Sequence, residues 1–250
     1  MLAGWISGLA SGGHSRRIKF QRSPRAIIIP AGALAMLILY GSPFSSRVNK
    51  LRYIANHIGL DYEHVPLSPL KGETRTPEYL RIHPAGKIPA MVDDDFALFE
   101  SMAIARYLAS KAASPIYPQE LRARAIVDQW CEFVTHHVEG GMLKVFFNRV
   151  MIPLFKLPVE VDTRSEQDGL AWLDRYLPII EGQLGEHAHV AGEALTLADF
   201  ALLAALDPAE VASVDLTTYP SLTNWRGRMR DEPFYAACYS RYSDIVDAFR

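Results

Sequence analysis

Residues 36–67 constrain the fold more than any other stretch, because two short apolar runs there flank a single helical pattern. Met36 to Tyr40 is apolar and is ended by Gly41-Ser42-Pro43, which reads as a strand followed by a turn. From Ser46 onward Val48, Leu51, Ala55 and Ile58 recur at helical spacing, and Gly59 falls where a helix-terminating glycine belongs. Tyr62 to Leu67 then alternates as a second strand. Strand, helix and strand in so few residues predict a parallel βαβ unit, since the helix carries the chain back to the edge at which it started.

Thr76-Pro77-Glu78 predicts the next helix, with Thr as N-cap and Pro in the first turn, and His83-Pro84 ends it early. Ala90 to Val92 and Phe96 to Phe99 flank Asp93-Asp94-Asp95 as a hairpin. Glu100-Ser101 opens a helix through Ile104, Tyr107 and Leu108. Beyond Ser114-Pro115 strand signals stop, which places a domain boundary near Lys111 to Tyr117. A long helical stretch is predicted from Gln119 to about Phe147. A second runs from about Thr163 to Leu184, with a kink at Pro178. Thr196-Leu197-Ala198-Asp199 reads as a capping box, Tyr219-Pro220-Ser221 as a further helix start, and Pro233 marks the last helix.

Nearly half of the 250 residues are apolar, enough for one large domain or two small ones. A net charge of −2 offers no broad basic field for nucleic acid. Cys131 and Cys238 match no metal spacing and no disulfide framework, which points to a reducing compartment. The first 35 residues carry Arg16, Arg17, Lys19, Arg22 and Arg25 and no acid. The apolar run that follows, 26–39, is shorter than the roughly 20 residues that span a bilayer. A basic stretch before an apolar run has the pattern of a signal or transit peptide. Cleavage after that run would remove the first strand. The expectation is therefore that residues 1–35 are a leader or an extension ahead of a start at Met36.

Four local features carry chemistry. Ser42-Pro43-Phe44-Ser45 joins the first strand to the first helix, where redox proteins of this βαβ type place Cys-x-x-Cys. With serine at both sulfur positions, dithiol exchange is impossible. A serine at a helix N-terminus can still donate to an anion, which the helix dipole also favours. A thiol bound there would ionise more readily, and the thiolate is the nucleophile. The alternative is that Ser45 only caps the helix. Gly86-Lys87-Ile88-Pro89 enters the third strand, and a cis bond before Pro89 would present the Ile88 backbone to an extended peptide; the alternative is an ordinary trans proline. Glu100 and Ser101 suit the ammonium and carboxylate of an α-amino acid, or else form a plain cap. Lys71 to Arg75 and Lys87 could hold a second carboxylate, or be solvated charge. Together these sites describe a peptide with an amino-acid head, a central thiol and a carboxylate tail: glutathione.

The stretches 39–45, 83–91 and 98–108 resemble the N-terminal domain of the glutathione transferases. Thr196 to Asp199 and Tyr219 to Leu222 with Trp225 and Pro233 resemble the helical half of that family. The resemblance covers 36 to about 240 and is nearest to the serine-type theta, phi and delta classes. It implies a thioredoxin-like α/β domain at 36–113 and an all-α bundle at 118–250. It also implies Ser45 as the thiolate-activating residue, Ile88 pairing with the cysteinyl backbone, Pro89 as the cis proline, and Glu100 and Ser101 as the γ-glutamyl contacts. Lys87 and Arg75 join the glutathione-binding set. Thr74 stands where these classes often carry a histidine, and Pro178 interrupts a helix that is usually continuous. The second substrate, a small hydrophobic electrophile, is expected over Ser45 against Phe133, His136 and Met142, with Phe146 and His137 as further candidates. Adjacent His136 and His137 point to different helix faces, so no metal site is read there. The implied activity is transfer of alkyl or aryl groups to glutathione by a cytoplasmic homodimer, with glutathione as co-substrate and no cofactor. Peroxide reduction, dehalogenation or ether cleavage on the same site, and a non-catalytic binding module, are the rivals.

Overall fold

The computed structural model describes residues 37–239 and 241–247. The expected leader and Met36 lie outside them. The N-terminal half runs β1 (Leu37–Tyr40), α1 (Ser46–His57), β2 (Tyr62–Val65), α2 (Pro77–Ile82), β3 (Ala90–Asp93), β4 (Phe96–Phe99) and α3 (Ser101–Lys111). The sheet order is β2-β1-β3-β4. β1 pairs parallel to β2 and antiparallel to β3, which pairs antiparallel to β4. This is the thioredoxin-like arrangement that the βαβ signal and the hairpin signal together required.

Alternation in β1 builds two cores, one on each face of the sheet. Leu37 and Leu39 join the large core with Leu51 and Ile54 of α1 and Ile104 and Leu108 of α3. Tyr40 joins a smaller core with Tyr79 and Ile82 of α2 and Ala90 and Val92 of β3. Local chemistry sets the element ends. Gly59, at φ 69°, lets Leu60 N–H turn back to Ala55 O at 3.0 Å and closes α1. Thr76 Oγ1 accepts from Tyr79 N at 3.2 Å and caps α2.

The second half is helical. α4 (Leu121–Phe133), α5 (Glu139–Phe146) and α6 (Ile152–Phe155) follow one another without a loop. Wide π-helical turns join them at Val134–Val138 and Phe147–Met151. This rod therefore passes the end expected near Phe147 and reaches Phe155, even though Pro153 lies in its last turn. The wider turn directly before Pro153 eases the clash that a proline ring makes with the preceding turn. α7 (Thr163–Glu186) runs unbroken through Pro178. The carbonyl that Pro178 cannot reach belongs to Asp174, which is exposed, as is Pro178 itself, so that carbonyl is not buried without a partner. α8 (Leu197–Leu206) is buried along its whole length and forms the centre of the bundle. α9 (Pro220–Asp231), α10 (Pro233–Ala236) and α11 (Tyr242–Asp247) complete it.

Asp199 does more than the capping box predicted. Its carboxylate accepts from Thr196 N at 2.8 Å, Val190 N at 3.0 Å and Trp225 Nε1 at 3.1 Å, tying α8 to α9. α5 crosses α7 at glycines: a Cβ on Gly169 would lie 2.7 Å from Gly141 O. Among the described residues no helix is long and apolar enough to cross a membrane.

Candidate functional site

The loop between β1 and α1 is a tight turn closed by local hydrogen bonds. Gly41 has φ 145°, and a Cβ there would meet Val48 Cγ2 at 2.4 Å and Ile88 Cβ at 3.1 Å, so only glycine lets Ile88 approach the turn. Ser45 N–H donates to Ser42 O at 2.9 Å, and Phe44 N–H donates to Ser42 Oγ at 3.2 Å. Asn49 Nδ2 donates to Pro43 O at 2.8 Å. Ser45 occupies the N-cap position of α1, and its carbonyl accepts from Val48 N and Asn49 N, each at 3.0 Å. Its hydroxyl makes no capping hydrogen bond. The cap-only alternative thus has no bond to support it. Ser42 differs, since its oxygen already serves Phe44 N–H. Ser46 is buried.

Two cavities meet beside this turn. The polar one, about 460 Å³, is lined by Lys87, Ile88, Pro89, Glu100, Ser101 and His136, together with Arg47, His83, Arg106 and Glu132. The apolar one, about 1030 Å³, is lined by Ser45, Phe44, Leu143, Phe146, Phe147, Met151 and Phe155. Arg47, Lys87 and Ile88 border both. The Ile88–Pro89 bond is cis. Glu100 sits at φ 73° and ψ 116°, a region that non-glycine residues rarely hold, and its carboxylate makes no capping bond. Ser101 begins α3 and is buried. Ser45, Lys87, Ile88, Pro89, Glu100 and Ser101 therefore gather around one cleft.

Basic groups rim the apolar cavity: Arg47, Lys71, Arg75, Lys87 and Lys144. The one acid among them, Glu73, accepts Ser68 N–H at 2.7 Å. The field at the mouth favours an anion. Arg75 lies over Gly86, within 3.3 Å of Ala85 O. Gly86 needs its φ of 59°, and a Cβ there would strike Thr74 O and Arg75 Nη1. Thr74 is itself buried, so it offers no side chain to the cleft. Arg47 is held at the junction by the buried Glu139, at 3.0 Å, which also pairs with the buried Lys50 at 3.6 Å.

The expected second-substrate residues fall elsewhere. Met142 is buried in the core. Phe133 packs against Trp130, His137 and Tyr176. His136 lines the polar cavity and pairs with Glu132 at 3.2 Å. Each wide turn in the rod inserts an extra residue and rotates the face that follows by roughly 100°. Residues beyond each wide turn therefore face differently from a strict 3.6-residue continuation of α4, whereas Phe133 lies ahead of both turns. The apolar wall is instead Leu143, Phe146, Phe147, Met151 and Phe155, of which only Phe146 was anticipated. Arg47, Arg106 and His83 were not among the expected site residues, although His83 and Arg106 lie within the stretches that carry the resemblance.

Neither Cys131 nor Cys238 lines either cavity. Burial pushes Cys131 up to about 12 and Cys238 up to about 11.

The fold and the site together define a thioredoxin-like domain with a serine turn, joined to a helical bundle that supplies the apolar wall. Residues 35–110 match the glutathione S-transferase N-terminal domain family, and residues 143–233 match the corresponding C-terminal domain family. Glutathione S-transferase 3 of Zea mays is 37% identical over 184 residues, covering 70% of this chain and 80% of the maize protein. Among solved structures, glutathione transferase F7 from Populus trichocarpa superposes with a TM-score of 0.75 at 27% identity, covering 84% of this chain and 99% of that one. A theta class glutathione S-transferase from Xanthomonas axonopodis pv. citri, solved with glutathione bound, gives 0.74 at 26% identity, covering 82% and 97%. The chain belongs to the glutathione S-transferase family.

Proposed function

We propose that the protein conjugates glutathione to hydrophobic electrophiles, with the Ser45 hydroxyl donating to the glutathione sulfur. The observation that carries this reading is the position of Ser45: its hydroxyl is uncommitted to capping, and it lines the apolar cavity beside Arg47, Lys87 and Ile88, which border both cavities. The positive end of α1 and the basic rim both favour the thiolate over the thiol. Glu100 takes the ligand ammonium, Ser101 and the start of α3 take the adjoining carboxylate, the Ile88 backbone pairs with the cysteinyl unit, and Lys87 and Arg75 attract the glycyl carboxylate. The thiolate then attacks the electrophilic carbon, forming a carbon–sulfur bond while the leaving group departs with its electron pair. The phenylalanine-rich wall suits an apolar, aromatic second substrate. The unit of function is a homodimer, in which a second copy covers the exposed Phe96 and Phe99 on β4 beside the polar cleft.

Retention on immobilised glutathione combined with a panel of electrophiles tests this reading. Conjugation of at least one aryl or alkyl electrophile is expected. Turnover confined to peroxides or ethers would move the assignment to a rival reaction, and binding without any turnover would make the protein a glutathione-binding module.

A further inference from the structure

We propose that Tyr242, on the C-terminal helix, is a positioning residue for Ser45. This rests on the catalytic reading given to Ser45 above. The turn that presents Ser45 is held by three local bonds, to Ser42 O, Ser42 Oγ and Pro43 O, all made by residues 44–49. A fourth comes from 198 positions away: the Tyr242 hydroxyl donates to Phe44 O at 2.7 Å. That carbonyl belongs to the peptide unit that enters Ser45. Its direction sets the rotation of the Ser45 N–H and, through it, the direction of the side chain.

Tyr242 is packed on several sides. The residue is fully buried. Its ring lies 6.1 Å from that of Phe44 and 6.3 Å from that of Phe146, two walls of the apolar cavity, and 6.0 Å from that of Tyr239. Tyr239 donates to the buried Asp207 at 2.8 Å, and Tyr53 of α1 donates to the same oxygen at 2.6 Å. The segment bearing Tyr242 is thus tied to α1, the helix that Ser45 begins. A hydroxyl anchored this way fixes the peptide plane before ligand arrives, and preorganised donors are the ones that stabilise an anion. The helical half contributes to the serine turn itself as well as to the second-substrate wall.

Tyr242→Phe removes one oxygen and keeps the ring. Its kcat should fall about twofold to twelvefold, the range for one hydrogen bond. The pH–rate profile with one reactive electrophile should shift to higher pH, while KM for glutathione stays within about twofold; Tm should fall by a few degrees, because the buried Phe44 carbonyl loses this donor. The decisive arm is a cycle with Ser45→Ala. If Tyr242 acts through Ser45, adding Tyr242→Phe to Ser45→Ala should cost less than about twofold. An equal loss in both backgrounds, or an unchanged profile in the single variant, overturns the positioning role while the reading of Ser45 stands. If Ser45→Ala alone keeps the wild-type profile, the catalytic reading fails and this proposal fails with it.

Discussion

Two glycines on α7 should respond to alanine in opposite directions. Gly182 is exposed, and a Cβ there meets nothing within 4 Å. Alanine should stabilise this helix position by about 0.5–1 kcal/mol, because glycine in a helix interior carries that entropic penalty. Gly169 gains the same helix propensity, but its new Cβ would lie 2.7 Å from Gly141 O, 2.9 Å from Lys144 Cβ and 3.0 Å from Val145 Cγ2. The nearest neighbour is the backbone of α5, which cannot rotate away as a side chain can. α5 and α7 must separate, and overpacking of that kind costs roughly 1–3 kcal/mol or more, which exceeds the propensity gain. For a chain of this length each kcal/mol moves Tm by about 2–4 °C. Urea and thermal denaturation of Gly169→Ala and Gly182→Ala should therefore show a loss in the first and a gain in the second. α5 also carries Leu143 and Phe146, so Gly169→Ala should weaken turnover of the larger electrophiles first. Stabilisation by both substitutions would refute the close-crossing argument.

Glu100→Ala should raise KM for glutathione about tenfold or further, since an unpaired ligand ammonium costs ~1–3 kcal/mol; steady-state kinetics at varied glutathione would read it. Burial pushes Asp207 up from 3.8 to about 6, against the hydrogen bonds of Tyr53 and Tyr239 and the charges of Arg226 and Arg230. Between those values the folded state keeps a proton that the unfolded chain has lost, so this group's contribution falls as pH rises through that window, by roughly 2–3 kcal/mol. Denaturation midpoints of Asp207→Asn across pH 4 to about 7 should lack that decline, because the amide oxygen can still accept from a tyrosine while carrying no charge.

Most of the α/β half was legible in the chain because its signals are local. Gly59, Thr76-Pro77, the Asp93-Asp95 turn and the alternation of β1 each specify their own neighbourhood, and Thr196 with Asp199 does the same for α8. The serine turn, Ile88-Pro89 and Glu100-Ser101 could be read as separate motifs, and only the sheet order brings them to one cleft. What escaped the reading is non-local or breaks a period. The helical stretch expected to end near Phe147 runs on through Pro153 to Phe155, because the wide turn at Phe147–Met151 carries the rod past it. The same turns rotate Met142 into the core and bring Phe147, Met151 and Phe155 to the cavity. Arg47 is placed by Glu139, 92 residues away, and Tyr242 reaches the serine turn across almost the whole chain.

The central claim is that Ser45 lowers the thiol pKa of bound glutathione. Thiolate absorbance of the enzyme–glutathione complex, titrated with pH, measures this without any second substrate. The wild type should show a bound thiol well below its value in free glutathione. Ser45→Ala should return it toward that free value and lower kcat by roughly 10²-fold or more, as expected when one preorganised donor to an anion is lost. Ser42→Ala should leave the titration in place, since that hydroxyl oxygen already serves Phe44 N–H within the turn. A titration curve unmoved by Ser45→Ala, or one lost on Ser42→Ala instead, would contradict the account.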